Sequence, residues 1–200
     1  MSESAVQVLM VSAKDQGESR EWAILLERAA TGDVSAFEQV MLRSERSVML
    51  TARRLLGNVA DAEEASQEVF LRVYKYLHRF DRTKAFEPWL YRLTVNVCND
   101  IASGRSRSEV AWSDEHEPAA SSGDPHHSLT GDEHRKLIQN ALGELPEKQR
   151  AAVVLRELQG LTTAEVADVL KVTEATVRSH LSAARLRMKR FIEKRFRRSL

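Results

Sequence analysis

Residues 160–190, GLTTAEVADVLKVTEATVRSHLSAARLRMKR, decide the fold. Thr162-Thr163-Ala164-Glu165 is a capping box, in which Thr162 caps a helix start and Glu165 reaches back to it. The short helix this opens carries Val166, Ala167 and Leu170 as apolar residues. A three-residue turn, Lys171-Val172-Thr173, leads into a second helix with Thr173 as its N-cap. Ala167 is small enough for two helices to cross closely, and Val172 and Val177 fill the angle between them. This pattern predicts a helix-turn-helix, whose second helix enters a DNA major groove. On that helix Val177, Leu181 and Ala184 fall on the buried side. Glu174, Ala175, Arg178, Ser179, Ser182 and Arg185 are left outside. Arg178, near the helix start, suits a base edge, where arginine pairs best with guanine. Arg185, Arg187, Lys189 and Arg190 suit phosphates, which position without specifying. A plain helical hairpin with a solvated basic face uses the same residues, so the local pattern leaves both readings open.

Upstream, four-residue spacing persists almost everywhere. Pro146 starts a helix with Val153, Val154 and Leu158 inward, and Gly160 ends it. Near the beginning, Trp22, Leu25, Leu26 and Ala29 line one helical face, which Gly32-Asp33 interrupts. A second helix spans about Val34 to Leu56, with Phe37, Val40, Met41, Val48, Ala52 and Leu55 as its stripe, and Gly57-Asn58 stops it. A third runs from about Ala62 to Leu77. Pro88 sits in the first turn of a fourth, in which Leu90, Leu93, Val97 and Ile101 form the buried side. From Ser103 to Gly131 the period is lost. The expectation is an all-α chain of two small helical domains joined by a flexible acidic linker, the second domain holding the helix-turn-helix. Its boundaries are a flexible leader at 1–19, a first domain at 20–103, a linker at 104–131 and a second domain at 132–200.

Charge supports the division. The chain's formal net charge is +1, but Glu109 to Glu133 holds 7 acidic residues and no Lys or Arg, while Arg178 to Arg198 holds 9 basic residues and one acid. An acidic connector before a basic tail fits a nucleic-acid partner, and it equally fits a solvated helix face. The single cysteine, Cys98, excludes an internal disulfide and fits a reducing cytoplasm. No apolar run approaches the roughly 18 residues of a membrane span. Ala5 to Val11 lacks the preceding basic residues of a signal peptide.

With the motifs in this order, the chain resembles the extracytoplasmic-function sigma factors of bacterial RNA polymerase. The resemblance runs from about Glu21 to Arg190. It rests on Gly32-Asp33-x-x-Ala36-Phe37-Glu38, Ala62-Glu63-Glu64-x-x-Gln67-Glu68-Val69-Phe70 and Phe86-x-Pro88-Trp89-Leu90-Tyr91-Arg92-x-x-Val95-Asn96. In the second half it rests on Leu145-Pro146-x-x-Gln149-Arg150, Gly160-Leu161-Thr162-x-x-Glu165-Val166-Ala167 and Thr176-Val177-Arg178-Ser179. It implies a non-enzymatic initiation factor without cofactor or metal, whose partners are core polymerase, promoter DNA and an anti-sigma factor. The first domain would dock on the polymerase clamp through Asp61, Glu63, Glu64, Gln67, Glu68 and Phe70. Acids near a helix N-terminus are also favourable for dipole reasons alone.

The same resemblance assigns −10 opening to Phe80, Asp81, Arg82, Thr83, Lys84, Phe86, Trp89, Arg92, Asn96 and Asn99. Arg92, Asn96 and Asn99 share a helix face by their spacing. Trp89 and Tyr91 are aromatics able to stack on unpaired bases, worth about 1–3 kcal/mol each where that occurs, although Trp89 is expected to be mainly core. The −35 element would fall to Glu174, Ala175, Thr176, Arg178, Ser179, Ser182 and Arg185, with the second domain also gripping the polymerase flap. Met41 and Ser44 stand where the family commonly has tyrosines. Ser182 and Ala183 are small where relatives carry bulkier residues, so no relative's −35 sequence transfers. The competing reading is a response-regulator-type activator, which would need alternating β and α segments in its first half. A metal enzyme is a third, raised by His116, His126, His127 and His134, which lack ligand spacing.

Overall fold

The computed structural model describes residues 21–109 and 131–197, and those residues are helical with no strand among them. A first helix, α1, occupies residues 21–30. It is followed by α2 (Val34–Leu56), α3 (Val59–Tyr76), a 3-10 turn (Leu77–Arg79) and α4 (Phe86–Glu109). After the undescribed stretch come α5 (Gly131–Gly143), α6 (Glu147–Val153), a π-helical segment (Val154–Leu158), α7 (Thr163–Leu170) and α8 (Glu174–Arg197).

Each boundary has a local cause. Asp33 accepts a hydrogen bond from the Ala36 amide at 3.0 Å and so caps α2. Its carboxyl is held below the usual range by that bond first and by Arg28 second. Gly57 ends α2 at φ +87°, a left-handed conformation that costs a side-chain-bearing residue. Asn58 immediately caps α3, its Oδ1 accepting from the Asp61 amide at 2.9 Å. That cap starts α3 at Val59, earlier than apolar spacing alone places it. Similarly, α4 continues to Glu109, beyond Ser103 where the apolar period fades. The leader 1–19 and most of the 104–131 linker, with His116, His126 and His127, lie outside the described residues.

Helices α2, α3 and α4 pack on one another around Val40, Val48, Ala52, Val69, Val73 and Val97, all essentially inaccessible. Arg72 staples this bundle, donating to Glu68 at 2.7 Å on its own helix and to Asp100 at 3.1 Å on α4. The second group centres on Leu142, Leu145, Leu155, Val166 and Val177, with α6 and α7 packed on α8. Full burial of each such side chain is worth about 1.5–3 kcal/mol. The two groups also touch each other. Helix α7 lies against α4, and α5, α6 and the π-helical segment lie against α2, so one hydrophobic core runs through both.

Candidate nucleic-acid interface

Residues 161–190 form the predicted helix-turn-helix. The capping box is complete: Thr162 Oγ1 accepts from the Glu165 amide at 3.2 Å, and Glu165 Oε2 accepts from the Thr162 amide at 2.8 Å. Lys171 turns the chain at φ 53°, and Thr173 Oγ1 accepts from the Thr176 amide at 3.2 Å to open α8. Val177, Leu181 and Ala184 are buried, which holds Glu174, Ala175, Arg178, Ser179, Ser182 and Arg185 outward, with Thr176 half-buried. Arg178 pairs with Glu174 at 3.1 Å, one turn back on the same exposed face. Arg185 reaches Glu157 of the π-helical segment at 2.8 Å. Both pairs are solvent-exposed and therefore cheap to exchange for phosphate or base.

A second polar face lies on α4 and the loop before it. Asp81 folds that loop on itself, accepting from Thr83 Oγ1 at 2.7 Å and from the Thr83 amide at 3.1 Å. The Thr83 side chain first, then its amide, keep the Asp81 carboxyl below its ordinary range. Arg82 pairs with Glu27 of α1 at 3.1 Å. Asp81, Arg82, Thr83 and Lys84 are exposed, as is Asn96, while Trp89, Arg92 and Asn99 are half-buried.

Three aromatics assigned to nucleic acid or polymerase are largely buried. Phe80 and Phe86 are 8% and 3% exposed and pack edge to face at 5.7 Å, with Trp89 tilted against both. That cluster gives the loop a rigid base. Phe70, 7% exposed, packs on the core and lines the floor of the groove between α2 and α3. Tyr91 is buried too, and its hydroxyl is bonded to Ser47 and Gln159, so it is not a stacking platform in this arrangement.

The acidic face of α3 is present, with Glu63, Glu64 and Gln67 exposed. Asp61 accepts from Asn58 Nδ2 at 3.0 Å, and Glu68 is paired to Arg72. Beside them runs an apolar groove of about 780 Å³ between α2 and α3, lined by Met41, Leu42, Met49, Leu71 and Tyr74 among others. Leu42, Leu71 and Tyr74 are each more than half exposed, and Phe37 packs edge-on against Tyr74 at 5.1 Å. Leu42, Leu71 and Tyr74 carry no signal in the sequence, because they fall beside the core stripe rather than on it.

Such a fold, with a helix-turn-helix following a four-helix unit that bears its own polar cationic face, defines a DNA-binding protein of the transcription machinery. The sigma-70 region 2 family model matches residues 41–108, and the sigma-70 region 4 model matches residues 135–188. The chain is 32% identical over 171 residues to the ECF RNA polymerase sigma-E factor of Escherichia coli K12, covering 81% of this chain and 89% of that one. It is 30% identical over 170 residues to the RNA polymerase sigma-H factor of Pseudomonas aeruginosa, covering 80% and 88% respectively. Its fold is like that of CnrH, solved with the cytosolic domain of CnrY, at TM-score 0.65 and 23% identity over 86% of this chain and 97% of that one. It is also like that of the sigma factor RpoE of Bartonella quintana, solved with the anti-sigma factor NepR, at TM-score 0.67 and 19% identity over 80% and 98%. The chain belongs to the extracytoplasmic-function sigma factors. It is an alternative sigma factor that binds core RNA polymerase and directs transcription from specific promoters. The response-regulator reading is not favoured, since region 2 stands where a receiver would be. No helix among the described residues is long and apolar enough to cross a membrane.

Proposed function

We propose that this sigma factor divides its labour between two surfaces. Residues 20–103 dock on the polymerase clamp and hold the opened −10 element, and residues 132–200 grip the flap and read the −35 element. The observation that carries this reading is the pair of polar faces, Arg92, Asn96 and Asn99 on α4, half-buried or exposed, and Arg178, Ser179, Ser182 and Arg185 on α8, exposed, each backed by a buried apolar stripe. Lys84 of the loop and Arg92 of α4 supply charge for phosphates, and Asn96 and Asn99 supply amides for base edges, while Phe80 and Phe86 stiffen the Asp81–Lys84 loop from below. Glu63, Glu64, Gln67 and the groove edged by Leu42, Leu71 and Tyr74 suit a basic and apolar docking partner on the polymerase. The chain acts without catalysis, cofactor or metal, and it works in the cytoplasm where the polymerase is. The structurally similar RpoE, solved with the anti-sigma factor NepR, supports an anti-sigma factor as a further partner.

Reconstituted transcription separates the two surfaces. Arg178→Ala relaxes discrimination at one −35 base pair, by about 1–3 kcal/mol for a lost bidentate contact. Arg92→Ala leaves −35 preference intact and lowers promoter opening. A uniform loss for Arg178→Ala across all sequences assigns that residue to phosphate, and unchanged opening by Arg92→Ala removes α4 from the −10 reading.

A further inference from the structure

The end of α2 and the start of α3 meet α5 in a cleft that neither of the two polar faces above uses. Two hydrogen bonds fix this junction. Gln139 Nε2 of α5 donates to the Arg53 carbonyl at 3.1 Å, and Arg150 Nη1 of α6 donates to the Leu55 carbonyl at 2.6 Å. Beside them lies a cavity of about 550 Å³, a size within the range of small-molecule sites.

Its lining sorts into two chemistries. Arg53 and Arg54 of the last turns of α2, with Arg135 and Lys136 of α5, bring four cations, and no carboxylate among the described residues lines the cavity. Among those residues, none of Arg53, Arg54 and Lys136 pairs with a carboxylate, whereas Arg28, Arg72, Arg82, Arg178 and Arg185 each do. Arg54 is half-buried, and burial pulls its guanidinium below the ordinary range, which neighbouring Tyr91 only partly offsets. Cations gathered without a counter-charge repel one another, and an anion between them relieves that repulsion. The second chemistry is apolar. Leu50, Val59 and Ile138 line the same cavity and are 38%, 48% and 45% exposed. Asn140 adds an exposed side-chain amide.

Cations alone suit any anion, and apolar side chains alone suit any greasy surface. The two together in one concave site of this volume suit a small anion that carries a flat apolar body. We propose that this cleft binds a nucleoside triphosphate, its phosphates on Arg53, Arg54 and Lys136 and its base against Leu50, Val59 and Ile138. The occupant bridges α2 and α5, so it also raises the thermal stability of the chain by mass action.

The test titrates the full chain calorimetrically with ATP, GTP and inorganic tripolyphosphate in magnesium-free buffer, and follows the thermal midpoint alongside. One site per chain is expected, with a dissociation constant below about 1 mM for at least one nucleotide and a midpoint that rises with its concentration. Arg53→Gln with Lys136→Gln, both exposed positions, weakens binding about 10- to 100-fold. Ile138→Asn weakens the nucleotide about fivefold and leaves tripolyphosphate unchanged. The control removes two exposed cations outside the cleft, Arg46→Gln with Lys148→Gln, and leaves binding as it was. Midpoints measured without ligand establish that each variant is folded. No saturable binding below about 1 mM overturns the proposal. Equal weakening in the control pair does so too, since it assigns the signal to overall charge. Tripolyphosphate binding as tightly as the nucleotide removes the base from the apolar wall. A random-sequence single-stranded DNA that displaces the nucleotide, and is itself weakened equally by the Arg53 and Lys136 pair, makes the cleft a surface for polymer backbone and contradicts the nucleotide site.

Discussion

Arg150 offers the sharpest stability test, because one side chain ties several helix ends together. Its Nε donates to the Leu142 carbonyl at 2.9 Å, and its Nη2 to those of Gly143 at 3.2 Å and Leu145 at 3.1 Å. Its Nη1 reaches the Leu55 carbonyl of α2 at 2.6 Å. All four acceptors lie at or just past helix C-termini, where carbonyls lack intrahelical partners and the helix dipole favours a cation. Burial pulls the guanidinium below its ordinary pKa, yet an arginine stays charged throughout any working range. Hydrogen bonds to a charged donor are worth about 1.5–3 kcal/mol each, so four of them set an upper bound of about 6–12 kcal/mol. Water replaces the exposed Gly143 bond. The two shorter bonds dominate, and Arg150→Ala is expected to cost about 3–5 kcal/mol. Arg150→Lys keeps the charge but not the fork, and it should recover less than half of that loss. Urea unfolding of the full chain, followed by helical signal, measures both. A loss below about 1 kcal/mol for Arg150→Ala would refute the reasoning, since it would mean the carbonyls are equally well served by solvent.

Two smaller perturbations bear on the reader and the core. Thr162→Ala removes the cap of α7 and should cost about 1 kcal/mol in the same unfolding measurement, with Thr162→Ser restoring most of it. Burial pushes the Cys98 thiol up to about 12, so a thiol-specific reagent at neutral pH should modify it only after denaturant unfolds the chain. The sign of the linked stability follows: the neutral thiol's contribution is complete below the ordinary thiol value of 9.0 and declines as pH rises from there toward about 12. Stability that is flat across that alkaline window, or rapid native labelling, contradicts the burial.

Much of this was legible in the sequence, for physical reasons that can be named. The helix-turn-helix announced itself because Thr162, Glu165 and Thr173 are caps that act within four residues, and because Val177, Leu181 and Ala184 repeat at helical spacing. Gly57 and Asn58 mark a helix boundary for equally local reasons, although only the structure shows that Asn58 caps the start of α3 as well as following the stop of α2. What failed to show was anything depending on contacts distant along the chain. Phe80 and Phe86 look like surface aromatics beside a polar loop until Trp89 closes over them. Tyr91 reads as a stacking residue until Ser47 and Gln159 are found on its hydroxyl. The π-helical turn leaves no signal in periodicity over five residues, yet it precedes a glutamine that crosses between the two groups. Leu42, Leu71 and Tyr74 escaped notice because apolar residues beside a buried stripe look like its margin, and only the structure distinguishes a margin from an open groove.

The most direct measurement is a selection of transcription start-linked sequences from a randomised promoter library, using core RNA polymerase reconstituted with this chain. Two surfaces reading two elements predict that the recovered promoters carry two separated sequence blocks, and that Arg178→Ala degrades only the upstream block. Recovery of one block, or initiation no greater than that of core polymerase alone, would contradict the account.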